Sequence, residues 1–194
     1  ALKMFAHSHL DEQDSCRFAA DQALSRPQRL TENGRMFLQG LRLADDGDLA
    51  AAAAQYEELI RRGYQLSSSL GNYGSIIQSA GREREALEYY RRAAHVSPFG
   101  AQQWVLWNEL DLLLKFGNFT EARREFGLLK GWYSDYYQLG IEVAEEDWPR
   151  AESLATAFRL DATRAPEVRA ISASTLAALA SSRGALRQAH SLLG

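Results

Sequence analysis

One cysteine, Cys16, stands among 194 residues. A lone thiol excludes an internal disulfide and a thiolate zinc cluster, and leaves the redox compartment open. Net charge is only −3, so no basic field exists to hold a phosphate backbone, and nucleic acid is not the expected partner. No stretch approaches ~18 uninterrupted apolar residues, so direct membrane insertion as a helix is not expected. The opening Ala-Leu-Lys-Met-Phe lacks the basic-then-apolar order of a signal peptide. Compartment is therefore unassigned, the cytoplasm being favoured unless a membrane span lies upstream. What is present, 46% hydrophobic and 24% charged residues, is ordinary for a folded chain with ample core, and argues against disorder.

Catalytic patterns are also missing. His7 and His9 lie two residues apart, a spacing that points them to different helix faces, so metal binding is not expected and solvated histidines are. His95 falls at a helix C-terminus, where positive charge is favourable, and His190 has no evident partner. Asp45-Asp46 and Glu145-Glu146-Asp147 fall at turns and open helices, where carboxylates meet unpaired amides. Ser67-Ser68-Ser69 reads as a helix cap. Gly71-x-x-Gly74 reads as helix packing, because no lysine follows to hold phosphate. An enzyme built on the acidic residues would need a deep pocket with two carboxylates of raised pKa. The expectation is no enzyme, no metal and no cofactor.

Against these absences stands a period. Ala52, Ala86, Ala122, Ala151 and Ala189 each follow a short polar or glycine turn and open an amphipathic run; their spacings are 34, 36, 29 and 38 residues. The clearest copy, 67–100, places Leu70, Tyr73, Gly74 and Ile77 on one helix face. Gly81 ends that helix, Ala86, Tyr90 and Ala93 share a face of the next, and Pro98 stops it. Neighbouring copies are read at 33–66, 101–131, 132–165 and 166–194, with a divergent hairpin at 1–30 whose helices carry Met4, His7 and Asp11, then Cys16, Ala20 and Ala23. Together they form a single domain. Each hairpin can bury its apolar face only against neighbours. The fold expected is all-α, an α-solenoid of about five to six helical hairpins.

Leu70, Gly74, Ala86, Tyr90, Ala93 and Pro98 resemble the tetratricopeptide repeat, with Tyr73 and Ile77 replacing the usual Leu and Tyr. That resemblance implies a right-handed superhelix. The order of segments is further similar to tetratricopeptide regions attached to bacterial Ser/Thr protein kinases and winged-helix regulators. The residues concerned are Ala19 to Leu24, then Leu30, Glu32, Arg35 and Gly40, then Gly47-Asp48, then Tyr56 to Leu59. This implies a sensory or docking module of a longer signalling polypeptide. The chain starts at Ala1 and stops at Gly194 without a polar capping helix, which fits a segment of something longer.

The repeat resemblance also implies that first helices line a concave groove binding a protein or peptide segment. Its inner positions are read as Phe37 and Leu41; Gly71, Asn72, Ser75 and Gln78; Trp104, Trp107 and Asp111; and Tyr137 with Ile141. Four aromatics in one groove would form an apolar interaction patch. Trp104 and Trp107 are equally compatible with packing on a neighbouring hairpin. Some relatives clamp a peptide carboxylate with Lys, Asn and Arg; here only Asn72 matches, with Phe37, Leu41 and Trp107 elsewhere, so that clamp is not expected. The alternative reading is a self-association module, in which an uncapped repeat end forms a homodimer.

Overall fold

The computed structural model describes residues 18–96 and 103–193. Met4, His7, His9, Asp11, Cys16 and Pro98 lie outside the described residues, and with them most of the hairpin expected over 1–30. No strand occurs among the described residues. The chain forms two compact units, 2–112 and 113–194.

The first unit contains α1 (18–24), α2 (Glu32–Asp45), α3 (Leu49–Arg61), α4 (Leu66–Ser79), α5 (Glu83–His95) and most of α6 (Gln103–Lys115). From α2 to α5 each helix packs on the next. The second unit takes the end of α6, α7 (Phe119–Glu125), a 3-10 turn at Phe126–Leu128, α8 (Trp132–Ala144), α9 (Trp148–Leu160), α10 (Pro166–Ser182) and α11 (Leu186–Leu193). There α8 packs on α9 and α10, and α10 packs on α9 and α11. The expected class is adopted in each unit: among the described residues both are all-α and built of helical hairpins packed neighbour on neighbour.

The turns inside the hairpins share one hydrogen-bond pattern. A residue at positive φ follows the first helix each time: Gly47 (84°), Gly81 (79°), Gly117 (72°), Glu146 (59°) and Gly184 (77°). The amide after it donates to a carbonyl five residues back: Asp48 to Leu43, Arg82 to Ile77, Asn118 to Leu113, Asp147 to Glu142, and Ala185 to Ala180. A Cβ added at any of the four glycines would meet nothing within 4 Å, so backbone conformation and not space selects glycine. Glu146 holds the same conformation against its own Cβ. Glu146→Gly is expected to raise unfolding free energy by ~0.5–1 kcal/mol; urea denaturation checks it, and a loss would mean that the glutamate side chain supports the turn.

Five residues beyond each left-handed residue come Ala52, Ala86, Ala122, Ala151 and Ala189, all buried. Four further on, Tyr56 and Tyr90 press their rings on the first helices: an added Cβ would lie 2.9 Å from Tyr56 at Gly40 and 3.0 Å from Tyr90 at Gly74. The second unit reverses the sizes at these places. Leu139 stands where Gly40 and Gly74 stand, Ala155 replaces the tyrosine, and both join one apolar cluster with Ala151, Phe158, Val168 and Leu176. Close packing needs the sum of volumes, which either arrangement supplies.

Two local readings change. Ser67 and Ser69 lie inside α4, whose N-cap is Gln65, so they are not capping residues. Their hydroxyls donate to carbonyls instead, Ser67 to Ala93 on α5 and Ser69 to Tyr64, each at 2.8 Å. Glu142 is the second case, because its side chain is wholly buried at the place filled by Ile77 and Leu113 in preceding copies. Arg123 of α7 meets its two carboxylate oxygens at 3.0 Å each, and Arg150 of α9 meets Oε1 at 3.1 Å. The Arg123 hydrogen bonds hold the Glu142 carboxyl below the usual carboxylate range against the opposing effect of burial. A buried anion here ties three helices together.

Candidate functional site

Counting back from each left-handed turn residue puts the copies in a common register. The tenth and sixth positions are Phe37 and Leu41, Gly71 and Ser75, Trp107 and Asp111, Tyr136 and Gly140, and Ser174 and Ala178. This register corrects the expectation for α8. Tyr137 is 3% exposed and Ile141 fully buried, so neither offers a side chain to a partner. Without a glycine to mark the turn at Glu146, the count slips by one residue. One residue is ~100° around a helix, enough to pass from surface to core.

In the first unit, Ser75, Gln78 and Asp111 come together about one phenol. Tyr90 reaches from α5, donates to Gln78 Oε1 at 2.7 Å and lies 3.1 Å from Ser75 Oγ. Burial pushes the Tyr90 hydroxyl up to about 12, and the Asp111 charge adds to it. It is therefore a neutral hydrogen-bonding group at neutral pH, fixing the Gln78 amide. Asp111 is exposed on α6, while Asn72, Ser75 and Gln78 are half-buried on α4. The arrangement is a polar strip whose hydrogen-bonding groups are held in place by a buried ring.

Aromatics flank that strip, but less freely than expected. Trp104 packs on α4: a Cβ at Gly71 would run into its ring. Of its two readings, Trp104 takes the packing one. Phe37 meets Tyr56 edge to face, with ring centroids 5.6 Å apart, and Leu41 is half-buried one turn further along α2. Trp107 occupies the tenth position and is half-buried. Asn108 is committed to its own helix, donating to the Trp104 carbonyl at 2.9 Å.

The second unit carries a cleft of about 510 Å³ on the same register positions. Ser174 and Ala178 of α10 are its tenth and sixth positions; Val143, Trp148, Ile171 and Leu179 supply apolar wall. Trp148 is 41% exposed. Sequence reasoning misses this cleft because Ala, Ser and Thr on α10 carry no conspicuous pattern. The signal that finds it is the count from Gly184.

No protein-family model matches the chain. Over 128 residues it is 29% identical to the photosystem I assembly protein Ycf3 of Synechococcus sp. (strain CC9605), an alignment taking in 64% of this chain and 68% of that protein. Both units contribute to a stretch of that length, since neither unit alone spans 128 residues.

Among the described residues no helix is long and apolar enough to cross a membrane, and no group of three or more His, Cys, Asp and Glu side chains could hold a metal ion. His95 is exposed at the end of α5, beside Arg92 in the same last turn. Asp147 caps α9 by accepting from the Arg150 amide at 3.2 Å, and Asp48 caps α3 likewise from Ala51 at 3.1 Å.

Proposed function

We propose that the chain is a tetratricopeptide-type, non-catalytic scaffold that binds a peptide or protein segment along the inner face of its first helices. The observation that carries this reading is the convergence of Ser75 and Gln78 on the Tyr90 hydroxyl, within range of the Asp111 charge. Buried support of surface hydrogen-bonding groups lowers the entropy lost when a partner binds them. Phe37, Leu41, Asn72 and Trp107 extend the strip with apolar and amide surface. Similarity to a protein named for assembling photosystem I favours a role in holding other proteins together. The resemblance of its segment order to kinase-attached and winged-helix-attached regions favours a docking module within a signalling polypeptide.

The test begins with peptides selected on the full chain from a random dodecapeptide library. Calorimetric titration of the tightest one is expected to show at least about a tenfold loss on Trp107→Ala, as removal of a central aromatic anchor does. Equal affinity would remove Trp107 from the binding face.

Self-association is a second reading with its own observation. Leu186 and Leu193 of α11 are 69% and 66% exposed, apolar surface suited to another copy. Sedimentation at varied concentration tests it, and a strict monomer at high concentration removes it.

A further inference from the structure

We infer that the crevice among α9, α10 and α11 binds a small monocarboxylate with an apolar body. It lies on the other side of α10 from Ser174 and Ala178. Its residues Leu176 and Ala180 stand two places further along, about 200° around the helix. The site is therefore independent of the inner-face reading. The crevice encloses about 230 Å³ over an apolar floor. Leu176 and Ala180 are buried there, and Ala185 and Leu192 of α11 are half-buried. At roughly 30 Å³ for each water-sized atom, the space suits roughly eight non-hydrogen atoms.

The charged groups of the lining are Glu152, Arg159 and Arg183, two cations against one anion. Glu152 and Arg183 close on each other at 2.8 Å, which leaves Arg159. Its guanidinium forms no ion pair or hydrogen bond with any described residue. Asp161, two residues on, is taken by Thr163 and Arg164. Residues 168–194, which supply the α10 and α11 walls, contain three arginines and no Asp or Glu, so their charges add to the field of Arg159. Its place in the last turn of α9 favours a cation, yet leaves the donors of the guanidinium fork unfilled. Thr156 spends its hydroxyl proton on the Glu152 carbonyl at 2.7 Å and so turns its methyl outward. Gln188, in the lining on α11, offers a second N–H donor. A guanidinium fork matches the two oxygens of a carboxylate. One negative charge balances the lining, and an apolar tail covers its floor. A phosphate group brings about −1.5 to −2 charges and nothing for the floor.

The probes are hexanoate, hexylamine, hexanol and inorganic phosphate, titrated into the full chain with isotope-labelled leucine methyl groups followed by NMR. Hexanoate is expected to bind with a Kd of about 1 mM or tighter. It should shift the Leu176 and Leu192 methyls and leave Leu41 and Leu70 of the other unit unmoved. The other three probes should bind at least about tenfold more weakly. Arg159→Gln, at an exposed position, should weaken hexanoate about tenfold, as loss of a hydrogen-bonded charge does. Arg159→Glu should reverse the preference, so that hexylamine overtakes hexanoate. Thr156→Trp, also exposed, should abolish binding by filling the crevice while the charges stay in place. Hexanol binding as tightly as hexanoate, phosphate binding more tightly, or no shift at Leu176 and Leu192 would overturn the inference. So would a hexanoate affinity untouched by Arg159→Gln or by Thr156→Trp.

Discussion

Tyr90→Ala lowers the unfolding free energy by ~3–5 kcal/mol, the usual cost of emptying a core site of an aromatic ring. The ring is fully buried, and its contact with Gly74 leaves no neighbouring side chain there to move in and fill the space. Tyr90→Phe separates the two parts of the loss. It keeps the ring and removes only the hydroxyl, leaving Ser75 and Gln78 half-buried and able to rebond to water, for ~1 kcal/mol. Guanidinium denaturation of both variants checks the order. If Tyr90→Ala cost no more than Tyr90→Phe, the ring would not be what joins α4 to α5.

Arg123→Met produces the second large effect, a loss of about 3 kcal/mol at neutral pH, because it strands the Glu142 carboxylate in an apolar place with only Arg150 left. The pH dependence distinguishes this from lost packing. In the wild type the folded-state pKa of Glu142 is lowered, so its contribution is fully present above the unfolded value of ~4.3 and disappears as pH falls through the folded value. In Arg123→Met, burial without its main partner raises the carboxyl instead, and protonation then relieves the variant as pH falls. The stability gap between the two proteins therefore narrows on acidification. Glu58 and Asp161, whose pKa values are also lowered by their hydrogen-bonding neighbours, weaken both proteins alike in acid and cancel from the gap. Arg123→Met with Glu142→Leu should recover most of the loss, since Leu113 and Ile77 fill that place in the other copies. Urea titrations at pH 7 and pH 4 read all three; a gap independent of pH, with no recovery in the double variant, would refute this explanation.

The helical hairpins are legible in the sequence because their marks are local. Gly47, Gly81, Gly117 and Gly184 each announce a left-handed residue, and the alanine five places later announces the close approach of a second helix. Where the mark is a glutamate, the reading slips: Glu146 hides the register of α8, so Tyr137 and Ile141 read as surface when they are core. Glu142 escapes for the opposite reason. A carboxylate at an apolar position is explained only by Arg123 and Arg150, which come from different helices and have no fixed spacing from it. The polar strip is partly visible, since the repeat offsets place Ser75, Gln78 and Asp111 on the inner face. Its support by Tyr90 is not, because that tyrosine reads from sequence as core alone. Trp104 shows the limit of reading aromatics by periodicity: its position suits both groove and seam, and Gly71 across the interface decides between them.

Partners are expected to meet the first-helix face at the shared register positions. Benzophenone-bearing residues placed at Asp111, on that face, and at Glu88, exposed on the second helix α5, test this in one irradiation with the tightest library-selected peptide. A crosslinked product should form from position 111 and none from position 88. Crosslinking from position 88 alone, or equally from both, would refute the assignment of the binding face.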